Sequence, residues 1–269
     1  MSGGGPTSLP PGMDPARPSI ARVYDFFLGG EQHVEADRQV ALKLAEVMPD
    51  FPSVVRANRA FIRRAVRFLL DAGVRQFVDL GSGLATVGAV HLVAQDLGAD
   101  VRVLYVDSDQ TVVAHNRTLV PTATTGCVLA DLRDPSAVLH SGEARRLLDL
   151  DGPVAMLMIA VLHFVPHRDD PAGVVAHYRD ALAPGSYLAL THAEDASRVP
   201  GTFEAARLFS QDVAQIHLRS RSEISEMLRG WDLVAPGLVP TPAWRPDHDR
   251  SAPTARLNGL AAVGCKPPA

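Results

Sequence analysis

Val78-Asp79-Leu80-Gly81-Ser82-Gly83-Leu84-Ala85 is the stretch on which the reading of this chain turns. An apolar run, Phe77 to Leu80, meets two glycines one residue apart, and a helix-forming segment follows. A backbone that must leave a strand, turn tightly and enter a helix uses glycine because glycine tolerates positive φ and lets the main chain approach a ligand. The following helix then presents its N-terminal amides to that ligand. Glycines are also plain turn residues at strand ends, so the turn acquires meaning only from its surroundings.

Downstream, short apolar runs alternate with helical stretches: Val101 to Val106, Cys127 to Ala130, Val154 to Ala160 and Tyr187 to Leu190. That alternation predicts βαβ units and a mostly parallel α/β sheet. Ligands bind such sheets at the carboxyl ends of the strands, near the switch point. The second run closes at Asp107, where a carboxylate accepts hydrogen bonds from ribose hydroxyls. The third closes at Asp131-Leu132, placing a second acid for an adenine amino group and an apolar side chain for the base. Asp79 and Ser82 in the turn, Ser108 after Asp107 and Ala160 at the close of the fourth run join the expected cofactor contacts. A dinucleotide fingerprint needs a small residue three positions after the second glycine, yet Thr86 stands there and the next glycine is Gly88. The spacing favours an adenosyl cofactor, S-adenosylmethionine, over NAD.

The flanks complete the outline. Residues 1–17, rich in Gly and Pro, read as a disordered tail. Ser19 can cap a helix whose stripe of Ile20, Val23, Tyr24, Phe27 and Leu28 stops at Gly29-Gly30. Further helices are expected over 34–48, 53–72, Gly201 to Ala214 and Ser222 to Arg229, with late strands at Trp231 to Val239 and Arg256 to Cys265. We read 18–269 as a single domain, with a helical cap at 18–75 and a Rossmann-like core at 76–269. No Pro/Gly-rich linker separates cap from core, and the stripe over 20–28 needs a partner surface, so the cap is expected to be a lid over the cofactor.

Of the 269 residues, 46% are hydrophobic, enough for a sizeable core, and the formal charge is -4 with both signs interspersed. No basic face is available for a phosphate backbone, which argues against a nucleic-acid partner. Two cysteines, Cys127 and Cys265, suggest neither a disulfide framework nor a zinc site. His163 and His167 stand four apart with His177 ten further on, but Pro166 argues for a loop, and no metal is expected. With no secretory h-region or run of about 18 apolar residues, neither secretion nor membrane insertion is expected, and a cytoplasmic location fits.

The sequence resembles the actinobacterial S-adenosyl methyltransferases, a family long catalogued as a domain of unknown function. The likeness runs from about Pro18 to Pro267. It is most specific at Ala21 to Gly30, Arg56-Ala57-Asn58-Arg59, Gln76 to Leu84, Tyr105-Val106-Asp107, Ala130 to Pro135, Ala160 to Pro166 and Arg179 to Leu188. It implies a class I methyltransferase sheet of seven strands, the last antiparallel, with the N-terminal helices over the cofactor. It draws Tyr24 toward the cofactor, and makes Phe27 and His33 candidates for the acceptor pocket. Asn58 and Arg59 are expected to meet the cofactor's carboxylate, and the helix carrying Phe203, Arg207, Leu208 and Gln211 to close the pocket, with Arg207 a substrate contact. Departures fall near the mouth. Ala85, Ala89 and Leu92 replace the usual Pro, Asn and Glu, and Glu31 and His33 replace a Lys and an Asn.

Methyl transfer from a sulfonium is an in-line displacement that proceeds largely by alignment and exclusion of water. An acceptor that must lose a proton calls for a histidine of near-neutral pKa. His163, on the turn after the fourth strand, and His192, after the fifth, are the catalytic candidates; His163 also counts among the cofactor contacts. Three functions stand at this stage: methyl transfer to a small molecule, in secondary metabolism, with S-adenosylhomocysteine as product; S-adenosylmethionine binding for sensing or a non-methylating reaction; and a nicotinamide oxidoreductase.

Overall fold

Each of the first five strands is buried on both faces, which is why it reads as a short continuous apolar run. The strands are β1 (Gln76–Leu80), β2 (Arg102–Asp107), β3 (Thr125–Leu129), β4 (Ala155–Ile159) and β5 (Tyr187–Ala193). In the computed structural model, which describes residues 13–120, 123–195, 200–247 and 259–268, these five are parallel. β8 (Gly259–Cys265) pairs antiparallel with β5 along seven residues. The order is β3-β2-β1-β4-β5-β8, with β6 (Asp232–Leu233) beyond and β7 (Val239–Pro240) also pairing β8. The sheet thus has eight strands where seven were expected. The outermost strand, predicted as one piece over 231–239, breaks into two dipeptides because Pro236 and Gly237 form a turn between them, Gly237 N–H bonding the Val234 carbonyl.

Alternation along the strands sorts side chains onto two layers. Val78, Leu80, Leu104, Val106, Met156 and Leu188 pack under α6 (Pro135–Leu139), α7 (Gly142–Leu147), α8 (Pro171–Ala181) and α10 (Arg221–Met227). Phe77, Val103, Tyr105, Leu157 and Ala189 pack under α3 (Phe51–Asp71), α4 (Val90–Asp96) and α5 (Gln110–Leu119).

A third apolar cluster joins α1 (Ile20–Phe27), α2 (Glu35–Val47), the start of α3 and α9 (Thr202–Asp212). α3 belongs to both layers: Val55 lies in this cap cluster, whereas Phe61, Ile62, Ala65 and Leu69 lie against the sheet. The 21-residue helix therefore roots the cap in the sheet layer. Ser19 occupies the N-cap position of α1, but its side chain makes no capping bond. Asp37 on α2 instead ties down the start of α1, accepting from Ser19 N–H at 2.9 Å, Val34 N–H at 2.8 Å and, buried, Arg22 Nε at 2.7 Å. The expected tail over 1–17 falls outside the described residues up to position 12, while Met13, Asp14 and Arg17 border the cavity described next.

Candidate functional site

β1 lies at the switch point, with β2 on one side and β4 on the other, and a cavity of about 760 Å³ opens at the carboxyl ends there. Gly81 and Gly83 form its floor with φ of +68° and +56°. At Gly81 the glycine is obligatory, because any Cβ would run into the Val161 side chain at the end of β4. The turn is held from beneath. Gly81 N–H and Ser82 N–H both donate to the Val106 carbonyl, at 2.8 and 3.0 Å. Asp107 accepts from Gly83 N–H and from Asp109 N–H, each at 2.9 Å, leaving its remaining lone pairs for a ligand. Asn116 on α5, which sequence reasoning missed, accepts from Ala85 N–H at 2.9 Å and donates to the Gly83 carbonyl at 2.8 Å. Its signal was present: a polar residue three and four positions after Val113 and Val112 on an otherwise buried stripe.

Asp79, Ser82, Ser108, Asp131, Leu132 and Ala160 also line the cavity. Burial pushes the Asp79 carboxyl up to about 7, partly offset by the Arg59 guanidinium and reinforced by Asp107. Asp131 is already engaged: Arg133 Nε lies 3.0 Å from both of its oxygens, and Arg133 also pairs with Asp169. That pairing holds the Asp131 carboxyl below the usual range. Asp131 is thus a braced acceptor rather than a free one, held by Arg133, which Asp169 holds in turn.

From the cap, Tyr24, Asn58 and Arg59 reach the cavity as expected. Asn58 Nδ2 donates to Tyr24 Oη at 2.7 Å, and burial raises the tyrosine pKa. Arg59 Nε is buried with no hydrogen-bond partner, and Arg59 forms no ion pair among the described residues. An unpartnered guanidinium beside a glycine cradle is the kind of group that an anionic ligand completes.

Three expected substrate contacts do not reach the cavity. Phe27 is 9% exposed and packs edge-on against Phe26 and beside Phe51 in the cap cluster. Phe51, two helices further on, lines the cavity instead. His33 lies against Phe26, 3.6 Å from Asp25, outside the cavity lining. Arg207 points to solvent, bonded to Glu204 and Gln211 on its own helix. The opposite face of α9 supplies Ala205, Ala206 and Phe209.

The two histidines part company. His192 belongs to β5 itself, and both ring nitrogens are taken: Arg219 Nη1 donates to Nε2 at 3.0 Å, and Nδ1 donates to the Ala193 carbonyl at 2.8 Å. Burial lowers its pKa to about 4. With no lone pair free, it does not serve as a base; the expectation fails because its strand position ties it to Arg219. His163 sits in the 3-10 turn Leu162–Phe164 and lines the cavity, and neither ring nitrogen has a hydrogen-bond partner among the described residues. Burial, then the proximity of His192 and Arg219, push its pKa well below the usual value, so it stands neutral and open to a proton but is a weaker base than the near-neutral histidine expected. Arg219, 1% exposed and missed in the sequence, pins this turn by donating to the Leu162 and Val165 carbonyls at 2.9 and 2.6 Å.

The family described as S-adenosyl methyltransferase matches residues 6–267. A crystal structure from Thermobifida fusca, described as a candidate methyltransferase, is 39% identical, with 96% of this chain and 98% of that one covered and a TM-score of 0.88. A DUF574 family protein from Streptomyces avermitilis is 35% identical over 94% of this chain and 99% of its own, also at 0.88. The CMeT domain of the citrinin polyketide synthase shares the fold at 12% identity, with 92% and 60% covered and a TM-score of 0.55. Among curated proteins none matches the sequence.

Proposed function

The chain belongs to the S-adenosyl methyltransferase family, and from that premise we propose that this S-adenosylmethionine-dependent enzyme methylates a small molecule enclosed in the cavity beneath α9. The nicotinamide and non-methylating alternatives lose ground to the family match. The residues present fit the cofactor. Arg59, with its buried, unpartnered Nε, and Asn58 would hold a carboxylate; Asp79 and the Gly81–Gly83 turn would hold the amino-acid portion. Asp107 would take the ribose, and Asp131 with Leu132 the adenine. The bound cofactor supplies a sulfonium methyl group open to in-line attack.

The observation that carries the small-molecule reading is the size and lining of the cavity. The cavity volume of about 760 Å³ falls within the ~300–1,000 Å³ of small-molecule sites. Phe51, Phe209, Val213 and Ile216 wall it on the side away from the glycine turn. We read the cap as the lid that keeps water from this half, since α1, α3 and α9 meet across it. No helix among the described residues is long and apolar enough to cross a membrane. The test is the fate of isotope from methyl-labelled S-adenosylmethionine, offered with a metabolite extract and, separately, with protein and nucleic-acid fractions. Label is expected in the low-molecular-weight filtrate. Label confined to macromolecules would refute the small-molecule reading while leaving the methyltransferase intact.

A further inference from the structure

The two halves of the cavity differ in charge. Fixed carboxylates lie on the sheet-end side: Asp79 and Asp107 at the glycine turn, Asp131 braced by Arg133, and Asp109 capping α5 through Thr111 N–H. Of the described cations that line the cavity, Arg59, its Nε buried without a partner, runs past Gly88 and feels Asp79, so it too belongs to the glycine-turn half. Arg22 is neutralised by Asp37. Asp14 and Arg17 are exposed on the N-terminal approach.

Among the described lining residues, the opposite wall, from Thr202 through Leu218, carries no ionised side chain. It offers Phe209, Val213 and Ile216 from this segment and Phe51 facing them, with the Phe51 and Phe209 rings 5.9 Å apart. Two polar groups interrupt it. Thr202 Oγ1 on α9 is buried without a partner, and Thr202 lines the cavity at 2% exposure. The ring of His163 stands where the two halves meet. Its Nδ1 is sealed from solvent without a partner, which leaves Nε2 as the open nitrogen. Arg219 stands behind this half, outside the lining, its guanidinium spent on the Leu162 and Val165 carbonyls and on His192, so an ionised acceptor entering here would lose its hydration and meet no charged side chain among the described lining residues. A flat apolar molecule with an uncharged hydroxyl needs no charged partner.

We propose that the acceptor is an uncharged aromatic or similarly flat apolar molecule bearing a hydroxyl group, methylated on oxygen, with His163 as the catalytic residue that receives the hydroxyl proton. This rests on the small-molecule reading above. A lone pair of the hydroxyl oxygen forms the new bond to the methyl carbon, the carbon–sulfur bond breaks with its electron pair returning to sulfur, and the proton passes to His163 Nε2 and then to water. Thr202 Oγ1 bonds a second polar atom of the acceptor.

A matched series of naphthol, naphthoic acid and naphthylmethylamine tests the class at neutral pH, where the last two are ionised. The first measurement is calorimetric binding to the protein loaded with S-adenosylhomocysteine. Naphthol is expected to bind at least about tenfold more tightly than either ion, and to be the probe that takes label from S-adenosylmethionine. His163→Gln should lower kcat for naphthol about a hundredfold or more with little change in KM, as loss of a general base does. Equal or tighter binding of an ionised probe, absence of naphthol binding to the loaded protein, or an undiminished kcat in His163→Gln would each overturn the proposal. Failure of S-adenosylhomocysteine itself to bind would instead strike the cofactor reading, and methylation of the amine probe would remove the hydroxyl class while sparing small-molecule transfer.

Discussion

At the floor of the cavity, Gly83, Ala85, Asp107 and Asn116 hydrogen-bond to one another, so the glycine turn is shaped before any ligand arrives. Across from it, the wall brings Phe51 and Phe209 together from α3 and α9, and its polar atoms, Thr202 Oγ1 and the His163 ring, have no partners. The backbone of the turn finds its partners in β2 and α5, whereas the wall joins α3 and α9 and keeps its polar groups in reserve. A satisfied floor recognises a constant ligand, while an apolar wall with few polar points sorts variable ones.

Gly81→Ala should break the floor most severely. The added methyl meets Val161 at a positive φ, combining a backbone cost of about 1–2 kcal/mol with overpacking of about 1–3 kcal/mol. Urea unfolding should show that loss, and calorimetry the disappearance of S-adenosylhomocysteine binding. A variant that keeps wild-type affinity would mean that the turn is not the cradle.

The next effect is electrostatic and depends on pH. Asp79 titrates near 7 in the folded chain and near 3.8 when exposed, so between those values the folded state holds the extra proton and stability falls as pH rises. Below the lower value no penalty exists, and above the upper it is complete, on the order of 4 kcal/mol. Asp79→Asn should therefore flatten the stability profile between about pH 4 and 7; coincident profiles would contradict the buried-acid assignment.

Asn116→Ala strips partners from Ala85 N–H and the Gly83 carbonyl, and is expected to cost about 2–3 kcal/mol with a weakened cofactor site. Unchanged stability would show that the turn holds its shape unaided. Smallest of all, Arg207→Ala should leave Tm and S-adenosylhomocysteine affinity as they are, because the side chain engages only Glu204 and Gln211 at the surface; a changed KM for any acceptor would return Arg207 to the wall.

The same contrast explains what could be read in advance. The floor was legible because Asp107 closes a strand and Gly81, Gly83 and Asp131 follow one within three residues, and a strand end is visible as the stop of an apolar run. The parallel core followed from the same runs. The wall was not legible, since the expected helix over 53–72 left Phe51 outside it, while Phe27 sat on a clear helical stripe and only the packing of the cap helices shows that Phe27 is core and Phe51 lines the cavity. Arg207 and Phe209 likewise sit on one helix, two residues apart, on faces that periodicity alone leaves ambiguous. His192 was misplaced because β5 runs three residues past Leu190, turning a rim residue into a strand residue held by Arg219. Asn116 and Arg219 escaped notice because their work is to hold backbone carbonyls and amides, which leaves no motif.

At the end of β4, Ala160 adopts a φ of +53°, a conformation that glycine reaches freely and alanine only at a cost of roughly 1–2 kcal/mol. Its N–H is fixed by Thr191 Oγ1 at 2.9 Å, and its residue borders the cavity. Folding alone would be better served by glycine here. Ala160→Gly is therefore expected to stabilise the fold by about 1 kcal/mol, and a weaker affinity for S-adenosylhomocysteine in the same variant would make this a point where stability and activity pull in opposite directions.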